Sequence, residues 1–155
     1  MFDFFGKKRE QIALLVDGPN ILRKAFHIDL HKINKELSKF GDIRVAKVYV
    51  DQFASEKLIE AIVNQGFETE ITTGDVDVTM AIEAMENVVD PRITTVALMT
   101  RDTDYRPILV KAKKHGKKTM ILATDVGFSA ALKNTADKIL IFKENGALET
   151  ISNIE

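Results

Sequence analysis

Short, nearly unbroken apolar runs alternate along this chain with longer stretches in which apolar residues recur every three or four positions. The first run, Ile12-Ala13-Leu14-Leu15-Val16, contains no polar residue and predicts a strand covered on both faces. Further strands are expected at Arg44 to Val50, Phe67 to Thr72, Thr94 to Met99, Lys118 to Ala123 and Lys138 to Phe142. Between them the period changes to that of a helix. One helix begins near Asn20 or Asp29, carries Leu30, Ile33 and Leu37 on one face and ends at Gly41-Asp42. A second, Ser55 to Asn64, points Leu58, Ile59, Ile62 and Val63 inward and stops at Gly66. A third is opened by Gly74-Asp75, turns Val78, Ala81, Ile82, Met85 and Val89 inward and stops before Pro91. A fourth starts at Thr103 or Asp104, buries Ile108, Leu109 and Ala112 and ends at His115-Gly116; a short one covers Phe128 to Asn134.

Strand, helix, strand, repeated, predicts an α/β fold in three layers, a parallel sheet with helices on both faces. The pattern contains no internal repeat, low-complexity tract or linker. It divides the chain into an N-terminal arm (1–10), a single domain (11–143) and a C-terminal tail (144–155) that it leaves unread.

A chain of 155 residues, 45% hydrophobic and 29% charged, has the length and make-up of one globular domain. Its net charge of −1 offers no bulk attraction for nucleic acid, so any such partner must be met by a local patch. Cysteine is absent, which excludes disulfides, thiolate nucleophiles and Cys-rich zinc sites and fits a reducing, cytoplasmic setting. No run approaches the roughly 18 to 20 apolar residues of a membrane span, and no membrane partner is expected. In the arm, Phe2, Phe4 and Phe5 precede Lys7, Lys8 and Arg9, the reverse of a secretory signal. A frayed terminus, or an arm laid on the domain or on a neighbouring subunit, suits it better, so a homodimer is one expectation.

The acidic residues then change the picture. In an open parallel sheet, ligands bind outside the C-terminal ends of the strands where strand order reverses. Asp17 directly follows the first strand, Asp75 and Asp77 the third, and Asp102 and Asp104 the fourth. If strands one and four are neighbours, Asp17 and Asp102 face each other across the crevice. Carboxylates this close repel one another unless a cation is present. Oxygen-only ligation favours Mg²⁺ or Mn²⁺ over zinc, and such an ion can activate water and steady charge on a phosphoryl oxygen. Asn20 and Thr100 could hold a carboxylate, a water or a substrate phosphate from neighbouring positions. Helix capping competes for each acid taken singly, and Asp75 looks most like a cap. It does not explain acids gathered after strands one, three and four together.

At these residues the chain resembles a known family. Leu15-Val16-Asp17-Gly18-Pro19-Asn20-Ile21 is similar to the first motif of NYN-domain proteins, a branch of the PIN-like nucleases. Gly74-Asp75-Val76-Asp77-Val78 resembles their second motif and Leu98-Met99-Thr100-Arg101-Asp102-Thr103-Asp104-Tyr105 their third. Pro107-Ile108, Gly116-Lys117 and the stretch from Ser129 to Asp137 also fit, so the likeness runs from about Ile12 to Phe142. More narrowly the chain resembles the LabA-like group, with an archaeal member as one expectation. The resemblance implies strand order 3-2-1-4-5 and metal-dependent, hydrolytic cleavage of RNA leaving a 5′-phosphate. It implies that Asp17, Asp77, Asp102 and Asp104 are the metal-binding, catalytic acids, that Asn20 supports the first of them, and that Thr100 stands at a small hydroxyl position. Two positions depart from the pattern: Arg101 replaces the usual Gly, and Thr73 a usual Lys. Arg101 could crowd the metal or grip a phosphate with two hydrogen bonds.

Other features compete less well. Lys111, Lys113, Lys114, His115, Lys117 and Lys118 gather around one helix end, where they would contact phosphates or simply complement the helix dipole. His27 and His31 are four apart but lack the company a zinc site needs. Tyr105 could stack on a base, although packing is the commoner role. Neither a GxGxxG, a P-loop nor a nucleophile elbow is present. The residues point first to a metal-dependent endoribonuclease, and second to a catalytically weak module of the same fold that binds RNA or a regulatory partner. A phosphatase or receiver-like domain fits poorly, because Asp17-Gly18-Pro19 is not Asp-x-Asp and no Lys ends the fifth strand.

Overall fold

The computed structural model describes residues 8–21, 29–124 and 129–153. Among them, seven strands form one sheet: β1 (Glu10–Asp17), β2 (Gly41–Asp51), β3 (Glu68–Thr72), β4 (Thr95–Met99), β5 (Lys118–Thr124), β6 (Lys138–Phe142) and β7 (Leu148–Ser152). The helices are α1 (Gly18–Ile21), α2 (Leu30–Leu37), α3 (Glu56–Asn64), α4 (Val76–Val89), α5 (Arg106–Lys114) and α6 (Ala130–Thr135). A 3-10 turn, Thr103–Tyr105, leads into α5.

The strand order is β3-β2-β1-β4-β5-β6-β7, which contains the expected 3-2-1-4-5. Every pairing through β6 is parallel; β7 alone runs antiparallel, against β6. The last strand lies in the stretch that the apolar pattern left unread. It has only Leu148 and Ile151 as apolar residues, and its place at the sheet edge requires no more.

Alternation along the strands divides the core in two. Ile12, Leu14 and Val16 face α2 and α3, packing with Leu30, Ile33, Leu37 and Ile62. Ala13 and Leu15 face the other way, packing with Met80, Ala84 and Val88 of α4 and with Ile108 and Leu109 of α5. The same parity puts Tyr49, Val96 and Leu98 on the α4 face. It also carries Asp17, Asp51 and Thr100 to the α4 side as the strands end.

Two helices present faces other than those expected. On α4 the buried stripe is Val76, Met80, Ala84 and Val88, while Val78, Ile82 and Val89 are 56%, 59% and 59% exposed. Ala81 and Met85 are partly buried at the margin of the core. This helix is apolar almost all round, so a 3.6-residue period fits more than one face. On α3 Ile62 is buried but Val63 is exposed, because the helix covers the sheet next to an edge strand. The short helix expected from Phe128 is observed from Ala130 with Ser129 as its cap; Phe128 lies outside the described residues, as do Phe2, Phe4, Phe5 and His27.

Candidate metal centre

Register brings the site together. Val16 pairs with Met99, so Asp17 and Thr100 leave adjacent strands side by side at the reversal between β1 and β4. Thr100 is fully buried, and its hydroxyl donates to Asp17 Oδ2 at 3.2 Å. The Thr100 hydroxyl oxygen also accepts the backbone N–H of Asp102 at 3.1 Å. One hydroxyl therefore links the ends of both strands. Asp17 is only 2% exposed. Gly18, which follows it, has no room for a side chain: a Cβ there would stand 2.2 Å from the carbonyl oxygen of Tyr49.

Asp102 Oδ1 caps the 3-10 turn by accepting the N–H of Asp104 at 2.9 Å, and the residue lines the cleft. Asp77 sits in the first turn of α4, where the helix dipole favours negative charge. Carboxylate oxygens of Asp77, Asp102 and Asp104 all lie within 4.8 Å of one another. Asp17 stands behind this trio, joined to Asp102 through Thr100. The Tyr105 ring packs beneath, with its hydroxyl buried and without a hydrogen bond of good geometry. Burial, and then the charges of Asp17, Asp77 and Asp102, push the phenol well above its ordinary pKa. Tyr105 is thus a neutral floor under the acids and is packed away from any base.

An open cleft of about 330 Å³ lies over these groups, walled by Asp17, Pro19, Asp51, Asp75, Asp77 and Asp102, with Gly74 and Val76. Asp17, Asp75, Asp77 and Asp102 stand out in the sequence as ligands or caps; Asp51 does not. It ends β2 beside Thr72 of β3, so the rule that singled out Asp17 applies to it equally. Asp75, read as a cap, occupies the N-cap position of α4 but makes no capping hydrogen bond with its side chain. It belongs to the cleft wall instead. Arg101 is partly buried beside the site and does not line the cleft. Asn20 falls in α1; its side chain lies outside the described residues.

The basic cluster does not reach the acids. Helix α5 runs antiparallel to the strands, so its end and the start of β5 lie at the opposite edge of the sheet. There Lys117 Nζ donates to the carbonyls of Asp90 and Ile93 at 2.8 and 2.6 Å. Lys118 pairs with Glu10 at 3.0 Å and Lys113 with Asp137 at 3.5 Å. These cations tie loops together.

The NYN domain family matches this chain over residues 11–144, nearly the whole sheet and all the acids of the cleft. The chain belongs to the NYN domain family. A relative in that direction is the uncharacterized protein MJ0482 of the archaeon Methanocaldococcus jannaschii, 52% identical over 143 residues. The match covers 92% of this chain and 60% of that protein, so the NYN chain described here spans less than two thirds of the relative's length. Among solved structures, a protein of unknown function, VPA0982 from Vibrio parahaemolyticus, superposes with a TM-score of 0.78 at 21% identity. That likeness covers 91% of this chain and 97% of the other and shows that the two share a fold.

The NYN fold accounts for the placement of the acids, and their chemistry suits a divalent cation. The donor set is all oxygen and the converging carboxylates repel one another without a counter-charge. The buried Tyr105 hydroxyl is near enough to Asp17, Asp77 and Asp102 for their charges to raise its pKa. By donor chemistry, the residues fit a hard divalent cation better than a softer metal.

Proposed function

We propose that this protein is a metal-dependent endoribonuclease. The observation that carries the reading is the convergence of Asp77, Asp102 and Asp104 carboxylates at the strand-order reversal of an NYN-family fold, with Asp17 immediately behind them. In this reading Asp17, Asp77, Asp102 and Asp104 hold one or two Mg²⁺ or Mn²⁺ ions. Bound there, such ions lower the pKa of water and offset charge on a phosphoryl oxygen. Thr100 fixes Asp17 against Asp102, so both keep one orientation without relying on solvent. Asp51 and Asp75 extend the acidic wall and orient water at its rim. Asn20 supports the first acid, and Arg101, next to Asp102 in the chain, turns from its place beside the cleft to hold a substrate phosphate when RNA binds. Hydrolysis then leaves a 5′-phosphate on the product.

The test is cleavage of labelled single-stranded and structured RNAs with Mn²⁺ or Mg²⁺, beside a chelated control and Asp102→Asn. Asparagine keeps an oxygen to cap the 3-10 turn but removes the charge, so the variant folds. Its cleavage is expected to fall to the level of the chelated control. Undiminished cleavage by Asp102→Asn would overturn the assignment. RNA bound by the folded, metal-loaded protein but never cut would favour the binding-module reading, with Arg101 as the residue to change next.

A further inference from the structure

Along the C-terminal edge of the sheet, the acidic cleft adjoins two further concavities formed by described residues. On one side it shares Asp77 with a groove of about 180 Å³ walled by Val78, Ala81, Asp104 and Tyr105. On the other it shares Pro19 and Asp51 with an apolar hollow of about 240 Å³ formed by Gly18, Val50, Phe53, Ala54 and Leu58. Phe53 is 84% exposed, the most exposed of the large hydrophobic residues described. A single exposed apolar side chain is ordinary. This one is unusual in how it is held and where it stands. The backbone N–H of Phe53 donates to Asp51 Oδ1 at 2.8 Å, and Ala54 N–H donates to the Asp51 carbonyl at 3.2 Å. The turn that carries the ring is therefore anchored on a wall residue of the acidic cleft.

We propose that Phe53 is a stacking platform for one unpaired nucleobase of an RNA strand whose neighbouring phosphate lies at the acids. The inference rests on the functional reading above and narrows its substrate to single-stranded RNA. An aromatic face beside a phosphate site serves any base, because every base has a π-face. A base inside a duplex has both faces covered by its neighbours and cannot lie on the ring. Continuity of the apolar hollow with the acidic cleft favours a substrate that is at once charged and planar. A protein partner docking on Phe53 would need only the apolar half.

Binding is measured by fluorescence anisotropy in Mn²⁺ with phosphorothioate-linked RNA, single-stranded and duplex, for wild type, Phe53→Ala and Phe53→Trp. Phe53→Ala is expected to bind the single strand about tenfold more weakly and the duplex unchanged, with Phe53→Trp retaining affinity. Because the side chain is exposed, circular dichroism and melting should be the same for all three. Equal single-strand affinity for Phe53→Ala, or equal losses on both RNAs, would overturn the proposal. So would a change of sedimentation mass in Phe53→Ala with RNA affinity intact, which would make the ring a protein contact. The two readings fail separately. A Phe53-dependent single-strand preference without cleavage refutes the nuclease alone, and cleavage indifferent to Phe53 refutes only the platform.

Discussion

Thr100 joins two strands and two acids through one oxygen. Its hydroxyl, itself fully buried, donates to Asp17 and accepts from the Asp102 backbone. Thr100→Val keeps the shape but leaves a carboxylate oxygen and an amide short of a partner. Each such loss costs about 1–3 kcal/mol, so urea denaturation should show a drop of that order, with Thr100→Ser recovering most of it. A stability equal to wild type for the valine variant would mean that water replaces the hydroxyl. At this scale the sequence was informative where a residue ends a buried strand: Asp17, Thr100 and Asp102 follow apolar runs too plain to misplace. Asp51 escaped notice although it also ends a strand, because its strand mixes Arg44 and Lys47 with apolar residues and belongs to none of the motifs that the resemblance brought forward. Asp75 stands at the expected N-cap position of α4, but its side chain makes no capping bond. An acid before a helix usually caps it, and only the side-chain geometry reveals that this one does not.

The helices were harder to orient than the strands were to find. A fully buried strand such as β4 is legible as an unbroken run, and which face is which scarcely matters to its prediction. Helix α4 has apolar residues on almost every side, and its position over β1, β2 and β4 selects the Met80 stripe over the Ile82 stripe. The distinction is measurable. Met80→Ala should cost about 2–5 kcal/mol, as expected for truncating a side chain with no solvent exposure. Ile82→Ala, on the opposite face, should change stability by no more than about 0.5 kcal/mol. Thermal or chemical denaturation of the pair decides it; the reverse ranking would mean that α4 is rotated. Placing this helix correctly also places Asp77, because its first turn is what brings that carboxylate to Asp102 and Asp104.

At the scale of the molecule, parallel strands put their exits, and hence Asp17, Asp51, Asp75, Asp77, Asp102 and Asp104, at one edge, while Lys113, Lys117 and Lys118 are engaged at the other. A near-neutral total thus conceals a local cluster of carboxylates that by itself repels a phosphate. The proposed cations would have to do two things at once, relieve repulsion among the carboxylates and make that edge acceptable to a phosphate. Both belong to the folded state, because the acids come from separate loops that only the sheet assembles. Metal binding should therefore stabilise the fold by mass action, about 2.7 kcal/mol at a hundredfold excess over the dissociation constant. For a chain of this size that raises the melting temperature by several degrees. Asp104→Asn should do the opposite in each condition: melt slightly higher than wild type in chelator, because one repelling charge is gone, and gain much less on adding Mn²⁺. Melting curves of both proteins with chelator and across a Mn²⁺ titration test it. A wild-type melting temperature indifferent to Mn²⁺ and Mg²⁺ would remove the cation from the site, and with it the hydrolytic role assigned to the acids.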